Sequence, residues 1–324
     1  MEIKCDFIYN GYALLISDNI EKNYISINGT DYFVSYIDPI TKSNKGGNSF
    51  VFKLYQAQVF DENADPDKVI KISKNKEKIK IDEKGFITIK KHYKNRRFRE
   101  EINALYYCKD NCVRNVIEIF EDGSLICKMG NSEVSFPFYV MEYAEFDLKR
   151  FLEEENDAYD EASRAELCLQ IAQGIKELND LGYYHRDIKP DNIFMINGTW
   201  KVGDLGLIQM RNKPSLDRDG ELLGPRGWLS PEAMNKYLSE KVEGRYFDCS
   251  IDHQSDLFQL AKVFWYILQG NAPIGCVKES DFLLRNSSLY SLIKQMLNHS
   301  KKRRPASVDV VISDLQKIVN KYYK

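Results

Sequence analysis

The chain has 324 residues, of which 43% are hydrophobic and 29% are charged, a composition typical of a folded globular protein rather than a disordered one. Its formal net charge of −2 gives no reason to expect nucleic acid or an anionic membrane as a partner. Seven cysteines are scattered without a Cys-x-x-Cys pair, which favours reduced, packing residues in a cytoplasmic protein. The N-terminus lacks a secretory-signal pattern, and the most apolar helix candidate, 257–268, is too short for a membrane span. We therefore expect a soluble protein without an anchor of its own.

Residues 1–40 predict β-structure, because they are rich in Tyr, Ile, Phe and Val. Asn28-Gly29 lies between two such runs and is typical of a hairpin turn. Extra sheet packed on the following strands is a simpler interpretation of this region than a separate binding module.

A glycine-rich segment, Asn44-Lys45-Gly46-Gly47-Asn48-Ser49-Phe50-Val51, precedes an apolar run that ends in Val69-Ile70-Lys71. Small residues let a backbone approach phosphates and offer them amide hydrogens, although Gly-Gly-Asn is also common in ordinary turns. A lone lysine in an apolar run usually marks a strand edge. Here Phe98-x-x-Glu101-Ile102-x-x-Leu105 has helical spacing and supplies a carboxylate that can pair with Lys71.

The segment 73–99 between these two residues is crowded with Lys and Arg. Our default prediction is a solvated, partly flexible basic insertion. The sharper alternative is a docking surface for an acidic substrate or partner.

Further along, Asp122-Gly123 predicts a hairpin turn between 116–120 and 125–129. The second half of the chain predicts helices beginning near Ser163, Asp256 and Ser307, with Ser163-x-x-Glu166 as a capping box. Gly182 and Gly270 are expected to end the first two. The inward apolar positions are Leu167, Ile171, Ile175 and Leu178 in the first helix, Leu257, Leu260, Ala261, Phe264 and Leu268 in the second, and Val308, Val311, Ile312, Leu315 and Val319 in the third.

The stretch His185-Arg186-Asp187-Ile188-Lys189-Pro190-Asp191-Asn192 puts an acid, a cation and an amide in one short loop. Asp204-Leu205-Gly206 adds a second acid after a strand-like run. Phosphoryl transfer from a nucleotide needs such a set: a carboxylate for the attacking hydroxyl, a cation near the moving phosphate, and oxygen ligands for magnesium.

Together these motifs resemble the eukaryotic-like protein kinase family, whose catalytic loop reads H-R-D-x-K-x-x-N and whose metal loop reads D-F-G. The resemblance implies an α+β, two-lobed, protein-kinase-like fold with a small β-rich N-lobe and a larger helical C-lobe. It divides the chain into an N-terminal β extension (1–35), the N-lobe (36–143) and the C-lobe (144–324).

The resemblance also assigns the catalytic roles. Asp187 would orient the substrate hydroxyl and accept its proton, and Lys189 would neutralise charge on the transferred group. Asn192 and Asp204 would hold Mg²⁺, or Mn²⁺ in its place. Lys71, paired with Glu101, would bind the α- and β-phosphates of ATP.

Other nucleotide contacts follow from the same resemblance, with 138–144 similar to the last N-lobe strand and the hinge. These residues are Asn44, Gly46, Gly47, Ser49, Val51, Val69, Met141, Glu142, Ala144 and Phe194. The sequence departs from the family pattern in two places: Leu205 replaces the usual Phe, a conservative change, and Asn44 and Ser49 replace the outer glycines, which makes the phosphate loop stiffer. Neither removes a catalytic group.

The segment from Asp204 to Ser230-Pro231-Glu232 resembles the family's activation segment. By this match Glu232 forms an ion pair with Arg304, and Asp256 braces the catalytic-loop backbone. Pro225 and Trp228 depart from the serine/threonine pattern, with Trp228 typical of tyrosine kinases. Lys189 favours serine/threonine specificity, and we give it more weight because it acts on the phosphate itself.

In the family, the arginine equivalent to Arg186 often receives an activation-loop phosphate. Ser215 is the only hydroxyl side chain between Leu205 and Leu229, so one hypothesis is that a phosphate on Ser215 docks on Arg186. The alternative is an unmodified carboxylate, from Asp217, Asp219 or Glu221.

We therefore expect an ATP- and magnesium-dependent protein kinase that phosphorylates Ser or Thr of protein substrates and also itself, without a nucleic-acid or membrane partner. The alternatives are a pseudokinase scaffold, a dual-specificity or tyrosine kinase, and a small-molecule kinase of related fold. Lys71, Asp187 and Asp204 argue against the pseudokinase, and Glu232, Asp256 and Arg304 argue against the small-molecule kinase.

Overall fold

The computed structural model describes residues 1–38, 41, 49–61, 64–81, 87–154, 159–239, 247–284 and 286–323. The chain divides into two compact units. The first contains 1–106 and 118–143, and the second contains 107–117 and 144–324.

The first unit is built on one ten-stranded sheet and carries most of helix α1, Arg96–Asp110. Its strands are β1 (Glu2–Tyr9), β2 (Leu14–Leu15), β3 (Tyr24–Ile27), β4 (Thr30–Tyr36), β5 (Ser49–Gln56), β6 (Lys68–Ser73), β7 (Glu77–Ile81), β8 (Ile87–Lys90), β9 (Ile119–Met129) and β10 (Ser132–Glu142). The strand order is β2-β1-β9-β10-β6-β5-β4-β3, and β7 pairs with both β10 and β8. Alternate residues of β4, Tyr32, Val34 and Tyr36, are buried, as expected for a sheet with one face on the core.

The N-terminal strands belong to this sheet. β3 and β4 form an antiparallel hairpin with Ile27 opposite Thr30. Its two turn residues, Asn28 and Gly29, have φ of 48° and 78°, the left-handed values that such a two-residue turn requires. The hairpin predicted at Asn28-Gly29 is confirmed.

The hairpin turn predicted at Asp122-Gly123 is wrong, since β9 runs straight through both residues. β1 pairs in parallel with β9, and the backbone N–H of Ser124 donates to the Met1 carbonyl oxygen at 2.8 Å. A Cβ added at Gly123 would lie 2.4 Å from that carbonyl oxygen. The glycine therefore allows close approach of another strand, a second common reason for glycine inside a strand. The turn lies instead at Gly130, which has φ of 57°.

In its described residues, 73–81 and 87–99, the basic insertion contains paired strands and buried polar side chains that the sequence did not predict. Its exposed lysines fit a solvated segment, but β7 and β8 pair as a hairpin, and Glu77 and Asn95 are buried. One carboxylate oxygen of Glu77 accepts hydrogen bonds from the His92 N–H at 2.8 Å, from the Asn95 amide at 2.9 Å and from the Arg99 guanidinium. Because Arg99 is on α1, this network ties the insertion to the helix that carries Glu101.

The second unit is mainly helical. Its helices are α2 (Leu148–Glu154), α3 (Glu161–Asp180), α4 (Pro231–Ser239), α5 (His253–Gln269), α6 (Ser287–Met296) and α7 (Val308–Tyr322). Its short strands are β11 (Phe146–Asp147), β12 (Tyr183–Tyr184), β13 (Ile193–Ile196), β14 (Thr199–Val202) and β15 (Gln209–Met210). They form two small sheets, β11-β13-β14 and β12-β15.

Two of the three predicted helices begin earlier than the sequence pattern indicates. Asp160, not Ser163, caps α3, and its side chain accepts a hydrogen bond from the Ser163 N–H at 2.8 Å. Likewise Asp252 caps α5, so that helix starts at His253 rather than at Asp256. Asp is as good an N-cap as Ser, and each aspartate lies one turn before the predicted start.

The helix ends and most inward faces agree with the prediction. Gly270 caps the C-terminus of α5 with φ of 75°, and Gly182 follows α3 with φ of 81°. The predicted apolar positions are buried except for Ile312 in α7, which is half-buried. A β-rich first unit and a helical second unit confirm the predicted α+β class. Within the described ranges, no helix has both the length and the apolar character needed to cross a bilayer.

Candidate active site

In the first unit, Lys71 and Glu101 form a buried ion pair. Lys71 lies on β6, and its Nζ is 2.8 Å from Glu101 Oε1 on α1. The Tyr139 hydroxyl, on β10, donates to the same carboxylate oxygen at 2.9 Å. Charge-assisted bonds of this kind are about twice as strong as neutral ones. They fix the Glu101 side chain and, through it, the Lys71 ammonium.

The predicted nucleotide contacts of this unit lie on three adjacent strands. Val51 on β5 is directly opposite Lys71, and Met141 on β10 is directly opposite Val69 on β6. Ser49 is buried at the start of β5. The backbone N–H of Glu142 donates to the Glu118 carbonyl oxygen at 3.2 Å. Asn44, Gly46 and Gly47 lie outside the described residues.

In the second unit, the catalytic-loop side chains converge on Asp187. Its Oδ2 accepts hydrogen bonds from Lys189 Nζ at 2.8 Å and from Asn192 Nδ2 at 3.0 Å. Its Oδ1 is buried and has no hydrogen-bond partner among the described residues. Burial raises the pKa of Asp187, and the nearby Lys189 ammonium opposes that shift. One carboxylate oxygen is thus held by the loop, and the other is a buried acceptor without a partner among the described residues.

Gly224 leaves room beside that open oxygen. It has φ of +93°, and an added Cβ would lie 2.8 Å from Asp187 Oδ1. Any other residue here would be strained in its backbone and would cover the acceptor.

The backbone of the catalytic loop is anchored on helix α5. Both Asp256 carboxylate oxygens accept backbone hydrogen bonds, from the His185 N–H and the Arg186 N–H, each at 2.8 Å. The Gln259 amide accepts from the Ile188 N–H at 3.1 Å and donates to the Arg186 carbonyl oxygen at 3.2 Å. Burial raises the pKa of Asp256 to about 7, against the lowering effect of its backbone donors.

His185 is fully buried, and its neutral ring links the backbone of the catalytic loop to the backbone at Gly203. Its Nδ1 is 3.2 Å from the Asp187 backbone N–H, and its Nε2 is 3.1 Å from the Gly203 carbonyl oxygen. Only the neutral ring with its hydrogen on Nε2 satisfies both contacts. Burial accordingly lowers the pKa of His185 to about 4.

Asp204 directly follows Gly203, whose backbone is hydrogen-bonded to the same loop. The Gly203 N–H donates to the Asn192 carbonyl oxygen at 2.9 Å, and an added Cβ at Gly203 would lie 2.8 Å from the Phe194 ring. Asp204 itself has φ of 51°, an uncommon value for a residue with a side chain. Ala144 and Phe194 are half-buried in this unit, and Phe194 pairs with Lys201 across β13 and β14.

The side-chain oxygen atoms of Asn192 and Asp204 are suitable ligands for a hard cation. The hydrogen bonds of the Asn192 side chain use its amide nitrogen, donated to the carbonyl oxygen and Oδ2 of Asp187, so its amide oxygen faces a different direction. That oxygen and the Asp204 carboxylate are ligand types that Mg²⁺ prefers. In the described part of the chain, no group of three or more His, Cys, Asp or Glu has metal-site geometry. A cation here would thus take part of its coordination from a substrate or water.

Two further buried ion pairs stabilise the second unit. The predicted pair of Glu232 with Arg304 is present, with Oε1 and Nη2 separated by 2.7 Å. Arg186 pairs with Asp217 at 2.6 Å.

Sequence reasoning missed Gln259, which is hydrogen-bonded to the backbone on both sides of Asp187, and Tyr139, which is hydrogen-bonded to Glu101. Gln259 carries a usable signal, because it is a polar residue within the inward apolar run of α5 and is only 2% exposed. Tyr139 carries none, since a tyrosine in an apolar strand is ordinary core.

Comparison with known proteins identifies the family of this chain. The protein kinase domain family matches residues 66–321, which is most of the chain. The eIF-2-alpha kinase GCN2 of Arabidopsis thaliana is 26% identical over 206 residues, covering 56% of this chain and 16% of that protein. A probable serine/threonine-protein kinase of Clostridium perfringens is 23% identical over 240 residues, covering 69% of this chain and 32% of that protein.

A third relative, an inactive serine/threonine-protein kinase/endoribonuclease IRE1-like protein of Arabidopsis thaliana, is 26% identical over 166 residues, covering 46% of this chain and 28% of that protein. The chain thus spans less than a third of the length of each of these three relatives. The family match extends from the strand that carries Lys71 to the last helix. This chain belongs to the protein kinase domain family.

Proposed function

We propose that the chain is an ATP- and magnesium-dependent protein kinase that transfers the γ-phosphoryl group to Ser or Thr of protein substrates and to itself. The observation that carries this proposal is the convergence of Lys189 and Asn192 on one oxygen of Asp187, which leaves the other oxygen unpartnered. A buried carboxylate with one free acceptor is suited to receive a hydroxyl hydrogen.

In this mechanism the substrate hydroxyl donates to Asp187 Oδ1, beside Gly224. Its proton passes to the carboxylate as its oxygen attacks the γ-phosphorus of ATP, and the bond from that phosphorus to the β-phosphate oxygen breaks, so that ADP leaves. The raised pKa of Asp187 makes that carboxylate a better proton acceptor than an exposed aspartate. Lys189, already 2.8 Å from Oδ2, supplies positive charge next to the reacting groups. Lys71, fixed by Glu101, would contact the α- and β-phosphates.

Asn192 and Asp204 are the proposed magnesium ligands, and Mn²⁺ has the same ligand preference. When bound there, the metal would neutralise part of the negative charge of the phosphates. The proposal also includes the other nucleotide contacts that the family resemblance assigns. It further includes the division of the chain into an N-lobe that begins at residue 36 and a C-lobe that begins at residue 144.

Serine/threonine specificity is supported by Lys189 and by the names of two of the relatives, although Pro225 and Trp228 depart from that pattern. A cytoplasmic location is supported by the seven cysteines, all free thiols.

The test is transfer of radiolabelled phosphate from ATP to a generic protein substrate, comparing wild type with Asp187→Asn. We expect the variant to lose on the order of a hundredfold or more in rate, because its amide cannot accept the proton. Asp191→Asn is the matched control, since Asp191 is an exposed carboxylate of the same loop. Acid hydrolysis of the product then separates phosphoserine and phosphothreonine from phosphotyrosine.

The second candidate is a nucleotide-binding pseudokinase, favoured by a relative whose name states that it is inactive. Wild-type transfer no faster than that of Asp187→Asn, together with measurable ATP binding, would establish this alternative.

We further propose that the basic hairpin of β7 and β8 binds an acidic segment of the substrate or of a partner. Lys78 lies directly opposite Lys90, and both are exposed. Like charges in this arrangement are destabilising, so a bound anionic segment would reduce the repulsion between the two lysines.

The double variant Lys78→Ala/Lys90→Ala should raise the KM for an acidic peptide and leave the KM for a neutral peptide unchanged. Lys302→Ala, an exposed lysine of the second unit, is the control. Equal KM changes for both peptides would contradict the proposal.

A further inference from the structure

A buried ion pair joins the activation segment, 204–232, to the catalytic loop. The Arg186 guanidinium donates to both carboxylate oxygens of Asp217, from Nη1 at 3.0 Å and from Nη2 at 2.6 Å. The Arg186 side chain is 3% exposed and that of Asp217 is 6% exposed. A two-point contact of this kind fixes direction as well as distance, unlike a surface pair.

The buried guanidinium requires a negative partner. Arginine stays protonated in proteins, and an uncompensated charge at this depth is strongly unfavourable. Asp217 meets this need in the chain as it is encoded. The Arg186 Nε has no hydrogen-bond partner in the described ranges, so the contact with Asp217 is the main restraint on this side chain.

Through Arg186 this restraint reaches the catalytic loop. Arg186 has φ of 70°, an uncommon backbone conformation that must be held by its surroundings. Its N–H donates to Asp256 Oδ1 and its carbonyl oxygen accepts from Gln259, and the next residue is Asp187. If the contact between Arg186 and Asp217 were lost, only the hydrogen bonds to Asp256 and Gln259 on helix α5 would hold the backbone before Asp187.

Three other side chains of this segment could supply a negative charge to Arg186, but they make other contacts or are exposed to solvent. The exposed Ser215 hydroxyl accepts a hydrogen bond from the Asp217 backbone N–H at 3.1 Å, so it contacts that backbone rather than the Arg186 guanidinium. Glu221 accepts from the Arg218 N–H at 2.8 Å. Asp219 is exposed.

We propose that Asp217 is a positioning residue for phosphoryl transfer, whose carboxylate holds Arg186 and the catalytic loop so that no phosphate on the activation segment is needed. This inference rests on the proposed kinase activity. It replaces the hypothesis of a phosphate switch at Ser215 with a charge built into the sequence.

The first experiment compares Asp217→Asn with Asp219→Asn, the same change at an exposed site two residues away. We expect kcat of Asp217→Asn to fall on the order of a hundredfold, as for a displaced catalytic group, with the KM for ATP little changed. Asp219→Asn should match wild type. Asp217→Glu should recover much of the lost kcat, because it restores the charge. Wild-type kcat in Asp217→Asn, or no recovery in Asp217→Glu, would overturn the proposal.

The second experiment needs no variant at Asp217, so it holds even if Asp217→Asn fails to fold. Wild-type protein is treated with a phosphatase, and mass spectrometry verifies that 205–229 is unmodified. We expect kcat to be unchanged by this treatment, and Ser215→Ala to keep wild-type kcat. Loss of activity in either case would refute the inference while leaving the proposed function intact. A wild type that transfers no phosphate in any state would instead contradict the proposed function.

Discussion

The two units hold their candidate catalytic charges in different ways. In the first, Lys71 is held by the side chain of Glu101, which is itself held by the Tyr139 hydroxyl. In the second, backbone N–H groups of the loop around Asp187 donate hydrogen bonds to the side chains of Asp256 and Gln259 on helix α5. The Lys71–Glu101 pair joins two side chains, so a change of rotamer in either residue separates them. The loop is held by hydrogen bonds from three of its backbone N–H groups to two side chains, and all of these bonds must break before the loop is released. We therefore expect the first unit to contain the more adjustable charge and the second unit the more fixed one.

The largest effect is expected from Asp256→Asn. Asparagine offers one acceptor oxygen to two backbone N–H groups, so one of them faces an amide donor. We expect kcat to fall on the order of a hundredfold and the free energy of unfolding to fall by about 2 kcal/mol. Steady-state kinetics and urea denaturation measure these changes, with the exposed Asp248→Asn as the control. Unchanged kinetics would mean that the backbone anchor does not set the loop geometry.

A smaller effect is expected from Glu101→Gln. The amide oxygen keeps the shape and can still accept from Lys71 and Tyr139, but the charge is lost. We expect kcat/KM to fall about tenfold, which corresponds to about 1.4 kcal/mol for one charge-assisted bond. The neighbouring Glu100→Gln, at an exposed position on the same helix, should have no effect. A fall in kcat/KM as large as that of Asp256→Asn would remove the distinction between an adjustable and a fixed unit.

Gln259→Glu should have a smaller effect again. It keeps the acceptor for the Ile188 N–H, and because the new carboxyl is buried we expect it to be protonated. It can then donate to only one of the two carbonyl oxygens, those of Arg186 and Trp228, to which Gln259 donates. A net loss of about 1 kcal/mol corresponds to about a fivefold fall in kcat. Gln170→Glu, at an exposed position of α3, is the matched control, and equal rates for the two variants would count against Gln259 as an anchor.

The smallest effect concerns pH. The folded-state pKa of His185, about 4, lies below its ordinary value of 6.5, so the unfolded chain takes up the proton first as the pH falls. Stability contributed by the neutral ring is therefore present above pH 6.5 and is lost as the pH falls toward 4. Asp256 titrates with the opposite sign, because its raised pKa lets the folded state bind the proton first.

Comparing wild type with His185→Gln at each pH cancels the contribution of Asp256. Between pH 7.5 and 5.5, without metal or nucleotide, we expect the stability advantage of wild type to shrink by about 1 kcal/mol. Urea denaturation at the two pH values measures this. A constant difference between the two proteins would show that His185 is not held in the neutral form.

Much of the fold was predictable where the signal is local. The turn at Asn28-Gly29 requires left-handed φ at both positions, and these residue types adopt it readily. Gly270 ends α5 for the same reason. The helix starts were less predictable, because Asp160 and Asp252 compete as N-caps with the polar residues one turn later, and local sequence does not rank them.

Other features depend on residues far apart in the chain. Gly123 has the sequence of a turn, yet its function is to let Met1 approach, a partner more than a hundred positions away. Similarly, Glu77 looks like one charge in a solvated segment, but the packing of α1 against the sheet buries it. Neither outcome is contained in a window of neighbouring residues.

The sequence by itself determined the chemical inventory of the candidate site, because a carboxylate, an amine and an amide at fixed spacing in one loop are properties of residue type. Only the tertiary structure buried Arg186 and so gave it a need for an anion, which Asp217 meets rather than three other candidates. Only the tertiary structure left Asp187 Oδ1 without a hydrogen-bond partner among the described residues, beside Gly224. The physical reason is that pairing and burial depend on distances between segments, which chain order does not specify.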